Sequence, residues 1–165
     1  MSNSIKKVKP NGKYTSGFYK VKNREKYIGD ADSVVCRSSW EYRFCNYCDN
    51  NEDIVKWSSE HESLCVDYYN PIDKKMHKYW VDFYVKVRRV DRFEEWMLEV
   101  KPQREYHQEK KPVLEGNVTG KKLATYNREL KTWIINQAKF KAAKEFAEKR
   151  GIKFGVVDED FLFSQ

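Results

Sequence analysis

HKYWVDFYVKV (77–87), RRVDR (88–92) and FEEWMLEVK (93–101) form the stretch that decides the fold. Two runs rich in aromatic and β-branched residues flank a short charged connection, which predicts two strands paired as a hairpin. Side chains alternate between the faces of a strand, so Val81, Phe83 and Val85 share one face and Asp82 lies on the other beside Trp80 and Tyr84. In the second run Trp96, Leu98 and Val100 share a face, while Glu99 and Lys101 share the opposite one, roughly 7 Å apart. With both apolar faces on one core, Asp82, Glu99 and Lys101 converge. Asp82 is expected mid-strand in apolar company, where a charged carboxylate needs a cation partner to offset its desolvation.

Upstream, Trp40, Phe44, Tyr47 and Cys48 recur at helical spacing behind Ser38-Ser39, and Asp49-Asn50-Asn51 ends that helix. Ile54–Trp57 and Ser63–Tyr69 read as strands, the second stopping at the turn sequence Asn70-Pro71-Ile72-Asp73. Downstream, Pro102, Pro112, Gly116 and Gly120 mark a long exposed loop. Leu123, Tyr126, Leu130 and Trp133/Ile134 then line one helix face, Asn136 is placed to cap a second helix ending at Arg150 and Gly151, and Ile152–Val157 is a last strand. This order predicts an α/β (α+β) fold with a mixed sheet flanked by helices.

A chain of 165 residues accommodates one domain, and with 40% hydrophobic and 15% aromatic residues it has the material for a core. Residues 1–24 are rich in Lys with Gly, Pro and Ser and lack apolar periodicity, so a flexible basic arm is expected there, followed by a single domain over 25–165. No apolar run approaches the roughly 20 residues of a membrane span, and no secretory core opens the chain, so a soluble intracellular protein without a membrane partner is expected. The four cysteines are then read as reduced thiols. The net charge of +7 is uneven: +6 over residues 1–30, +7 over 101–150 and −6 over the rest. Basic flanks around an acidic middle suit a protein that grips a polyanion at its periphery and a cation at its centre, although a merely solvated basic surface reads the same way.

Asp82, Glu99 and Lys101 together are sufficient for phosphodiester hydrolysis. Two carboxylates hold Mg²⁺ through hard oxygen ligands, and an adjacent Lys orients the attacking water or offsets charge on the phosphate. The plain alternative is a cross-strand ion pair on a half-exposed sheet.

An acid on a helix (Glu41 in Arg37-Ser38-Ser39-Trp40-Glu41), then Asp82, then Glu99-Val100-Lys101, is similar to the core of the PD-(D/E)xK nuclease superfamily. With Trp57-Ser58-Ser59-Glu60, the Pro102 after Lys101, and KAAKEFAEKRGIKF (141–154), the chain resembles the head-completion nucleases of T-even-type tailed phages over about residues 25–160. The superfamily's Pro-Asp is Val81-Asp82 here. The resemblance implies a restriction-endonuclease-like core and a DNA endonuclease or end-trimming activity with little sequence preference. It implies Mg²⁺, with Mn²⁺ able to substitute, and catalytic positions Glu41, Asp82, Glu99 and Lys101, the three acids on the metal. Packaged DNA, head or portal components as partners, the host cytoplasm during assembly and retention in the virion belong to the same setting. Rival readings are a head-assembly protein that binds DNA without cutting, and a junction resolvase or transposon end-cleaving subunit on the same core.

Glu41 also fits a capping box with Ser38, its carboxylate on the Ser38 N–H. Glu60 is a secondary candidate, and His61 reads as part of a solvated turn. Cys45-x-x-Cys48 falls within a helix without a second ligand pair, so buried thiols are expected rather than zinc. Arg37, and Gln137, Lys139 and Lys141 at the opening of the last helix, are DNA-binding candidates, with a solvated face as the alternative. Tyr14, Phe18, Tyr19 and Tyr27, interleaved with Lys, form a weak stacking-platform signal.

Overall fold

The computed structural model describes residues 17–164. Its elements are β1 (Gly17–Phe18), β2 (Val35–Cys36), α1 (Ser39–Asn50), β3 (Ile54–Ser59), β4 (Cys65–Asn70), β5 (Lys75–Trp80), β6 (Phe83–Arg88), β7 (Phe93–Val100), α2 (Gly120–Glu148), β8 (Lys153–Val157) and α3 (Glu159–Phe163). The central sheet has the order β3-β6-β7-β8, antiparallel except that β8 runs parallel to β7, while β1-β2 and β4-β5 form separate two-stranded sheets. The parallel pair follows from connectivity, since the chain leaves β7, runs through α2 and returns alongside. This is the mixed sheet flanked by helices that the element order predicts.

Ser38 starts α1 as its extended N-cap, its Oγ accepting the Glu41 N–H at 3.1 Å. The apolar stripe of α1 buries Phe44, Cys45 and Cys48 against one sheet face, in a core shared with Trp57, Phe83, Val85 and Val100. The other face of the sheet is covered as well: Met97 packs with Leu64, Val66, Tyr68, Tyr79 and Val81 and with Ala143 and Ala147 of α2. The sheet is thus the middle of three layers, and the side of β7 that carries Glu99 is an interior one.

Three expectations need correction. Residues 17–24 are packed rather than loose: Tyr19 and Val21 lie in the core, and buried Asp49 accepts the Tyr19 hydroxyl (2.9 Å) and the N–H groups of Lys22 (2.7 Å) and Asn23 (2.9 Å). Tyr14 and the rest of the expected arm lie outside the described residues. The run 77–87 is two strands in two sheets, because pairing lapses at Val81-Asp82; there the Val81 N–H turns to Leu64 O (3.4 Å) and Asp82 O takes the Glu60 N–H (2.9 Å). Val81 accordingly enters the second core with Tyr79, and Asp82 stands at a strand junction rather than mid-strand.

The third correction concerns α2, one helix of 29 residues with neither Gly nor Pro between 121 and 150 to interrupt it. Asn136 is no cap; it is buried mid-helix and its amide donates to Glu105 O at 3.0 Å. Along the first half of α2 Leu123 is 41% exposed, Tyr126 and Leu130 are half-buried, and Trp133 is buried under the 103–110 segment, donating to His107 O. The 3-10 turns Glu62–Leu64, Gln103–Glu105 and Gln108–Lys110 and the short α3 have no periodic signal long enough to predict them. Among the described residues no helix is long and apolar enough to cross a membrane.

Candidate active site

The β6-β7 register ends at Phe83↔Leu98, so one further step sets Asp82 opposite Glu99. The backbone ladder stops there, and the Asp82 carboxylate takes over as acceptor for the Val100 N–H at 2.9 Å. Glu99 is 4% exposed; its Oε1 lies 3.6 Å from Lys101 Nζ, and its buried Oε2 has no partner. The Lys101 backbone is held by its N–H to Val157 O of β8 at 3.0 Å. Asp82, Glu99 and Lys101 are therefore together, by a junction on one strand and regular alternation on the next.

Their electrostatics follow from crowding. Burial, then the neighbouring Asp82, push the Glu99 carboxyl up to about 8, against the pull of Lys101 and Lys139. Burial raises Asp82 too, opposed by Lys101 and the Val100 amide. For Lys101, burial disfavours the charge, but Glu99 and Asp82 outweigh it and keep the ammonium more firmly protonated than usual. Lys101 and Lys139 thus face Asp82, Glu99 and Glu41, so acids outnumber lysines at the site.

Glu41 joins from the first turn of α1. Its Oε2 accepts the Arg37 N–H at 2.8 Å and its Oε1 meets Ser38 Oγ at 3.4 Å, so the reciprocal cap falls one residue ahead of the expected Ser38 N–H. Burial and nearby Asp82 raise its carboxyl. Arg37 and Glu60 form an ion pair at the rim. Glu60 occupies left-handed backbone (φ 47°), a strained conformation for a residue with a side chain, while its N–H holds Asp82 O.

The three α2 candidates separate. Lys139 points inward: its Nζ lies 5.2 Å from the Tyr79 ring centre and 5.7 Å from that of Tyr68, and burial lowers its basicity while Glu99 sustains it. Gln137 is committed to the Tyr106 carbonyl and to Gln108. Lys141 is solvent-exposed on another side of the helix. Because α2 is continuous here, position 137 offers no free helix-opening N–H groups. Tyr68 and Tyr79, which steady Lys139, went unnoticed in the sequence; facing positions on β4 and β5 were the available signal.

The donor set of Asp82, Glu99 and Glu41 is all carboxylate oxygen, which suits a hard cation, and an unpartnered buried Glu99 oxygen is what such an ion would satisfy. Among the described residues no three Asp, Glu, His or Cys side chains are already spaced as a closed cage. His61 caps a 3-10 turn through Ser63, and Cys36, Cys45 and Cys48 are buried free thiols, with Cys36 and Cys45 sulfurs 3.5 Å apart.

The chain is also similar to known proteins. Residues 51–159 match the family model described as TnsA-like endonuclease N terminal. The head completion nuclease of Enterobacteria phage T4 is 35% identical over 147 residues, covering 89% of this chain and 93% of that protein. No solved structure matches.

Proposed function

The chain belongs to the TnsA-like endonuclease family, and from that premise we propose that it is a Mg²⁺-dependent deoxyribonuclease whose centre is Asp82, Glu99 and Lys101, with Glu41 beside them. The observation that carries the reading is the buried, unpartnered Glu99 oxygen opposite Asp82 with a single Lys alongside. A structural ion pair has no reason to bury a second carboxylate against the first.

Asp82, Glu99 and Glu41 would hold the ion, which when bound would supply an activated water and offset charge on the phosphate oxygens. Lys101 Nζ would orient the attacking water beside the phosphate. Lys139 meets the phosphate from the α2 side, while Arg37 and Glu60 fix the rim that carries Asp82. Mn²⁺, with the same preference for oxygen ligands, substitutes for Mg²⁺. Little sequence preference is expected, because no base-reading module is evident in the sequence and backbone contacts carry no base information. By likeness to the phage T4 protein, the substrate is packaged DNA at head completion, with head or portal components as partners in the host cytoplasm and the chain kept in the virion.

The test incubates purified protein with plasmid and linear DNA in Mg²⁺ or Mn²⁺, against EDTA and against Asp82→Ala, Glu99→Gln and Lys101→Ala. Cleavage by the wild type alone, and only with metal, is expected. Equal DNA loss in every sample, or none in any, overturns the reading.

A further inference from the structure

The outer face of the β4-β5 hairpin is unusual for a surface. The alternation that turns Val66, Tyr68 and Tyr79 onto α2 turns Cys65, Asp67 and Tyr69 outward, facing Trp80, Lys78 and Met76 respectively. Tyr69 is 54%, Met76 64% and Trp80 48% exposed, and Ile72 at the tip is 40% exposed. Aromatic and Met side chains are thus set in a row in water on a hairpin that α2 backs from behind.

Three features say what covers it. On this face Asp67 is matched by Lys78 (3.6 Å), and at the tip, where Asp73 meets His77 (2.6 Å), Lys74 is exposed. The end of the row lies next to the candidate active site in the chain, since Trp80 is two residues from Asp82 and the Val81 N–H ties the hairpin's end to Leu64. Its length also suits a strand of nucleic acid, because six residues of β-strand span about 20 Å, several nucleotides of backbone.

We propose that the outer face of β4-β5 is a stacking platform for unpaired bases, holding the single-stranded flank of a DNA substrate whose scissile phosphate lies at Asp82 and Glu99. Trp80 takes a base near the cut, Tyr69 and Met76 take one farther along beyond the Asp67–Lys78 pair, and Lys74 meets the departing backbone. The platform gives the enzyme a preference for frayed ends, tails or branches over continuous duplex. This rests on the nuclease reading above and specifies the substrate of the same site.

The experiment measures binding without cleavage, in EDTA, using wild-type protein, Trp80→Ala, Tyr69→Ala and Lys74→Ala, with oligothymidylate and a blunt duplex as probes. Trp80 is the most exposed of the five Trp, so oligothymidylate is expected to quench wild-type fluorescence and to lose that effect in Trp80→Ala. Each ring removed should weaken single-strand binding roughly tenfold while duplex binding changes less than about twofold. Lys74→Ala should instead weaken both probes alike and flatten the salt dependence. Thermal melts of the ring variants within a few degrees of wild type confirm folding; Tyr69→Phe, which keeps a stacking face, should restore single-strand binding. Absence of quenching, or equal loss on both probes in the ring variants, overturns the platform. Metal-dependent cleavage by the wild type is scored separately, so a protein that stacks single strands but never cuts refutes the nuclease reading alone.

Discussion

Glu99, proposed as a metal ligand, is buried at a cost to the fold that bears it. Its carboxyl is neutral in the metal-free protein until about pH 8, whereas in the unfolded chain it ionises near 4.5. Between these values the folded state binds the extra proton, so Glu99 makes stability fall as pH rises, and above about 8 the loss is complete. We expect Glu99→Gln to abolish cleavage yet melt higher than wild type in EDTA, by a margin that widens from pH 5 to pH 8.5 in differential scanning calorimetry; a constant margin would contradict the assignment. The two lysines should divide differently. Lys101→Ala should reduce cleavage by at least about a hundredfold with DNA binding retained, while Lys139→Ala should cost about tenfold, felt mainly in substrate binding. Single-turnover rates against protein concentration separate the two. That Glu99 and Lys101 share a face was legible from alternation alone. Lys139 was visible only as one of three candidates, because its inward aim depends on where the uninterrupted α2 lies against Tyr68 and Tyr79.

At the scale of elements, the strands of the central sheet were legible because period-two patterning and a charged turn agree in 83–101. The junction at Val81-Asp82 was not, since the apolar pattern runs through it unbroken and only the competing partners Leu64 and Glu60 reveal the change of sheet. The turn itself is pinned by Glu94, which gathers Lys153 of β8 (3.0 Å), Arg89 (3.1 Å) and Arg92 (3.0 Å). Lys153, then Arg89, pull its carboxyl down to about 2. A depressed carboxylate stabilises above its unfolded value and loses that contribution as pH falls through its folded one. Glu94→Gln should therefore lower the Tm at pH 7, with the difference from wild type shrinking between pH 4.5 and 2; an unchanged difference at pH 2.5 would argue against it. At the end of α2, Gly151 occupies φ +68°, and Gly151→Ala should cost about 1 kcal/mol in urea denaturation.

For the whole molecule, Asp49 is the link between the first described residues and the core. Burial works to raise its carboxyl, but the amides of Lys22 and Asn23 and the Tyr19 hydroxyl outweigh it and keep it charged. Asp49→Asn leaves those donors poorly matched, for an expected loss of about 2 kcal/mol. Trypsin should then cut earlier at Lys20 and Lys22 than elsewhere in the chain, and simultaneous cutting throughout would show that the segment is no separate clasp. The sequence could not disclose this clasp, because two apolar residues among lysines make no periodic signal and their partner lies 26 to 30 residues away.

The parallel strand β8 has a consequence for timing. Glu99 pairs with Val156 and the Lys101 amide with Val157, so both sides of the strand bearing these residues are filled only after residue 157 has been synthesised. A nascent chain halted before residue 153 already contains Glu41, Asp82, Glu99, Lys101 and Lys139, but nothing yet fixes the strand that aims two of them. On the proposed reading, the order of translation would act as a safety catch, leaving the centre unassembled in any copy halted before β8 is made.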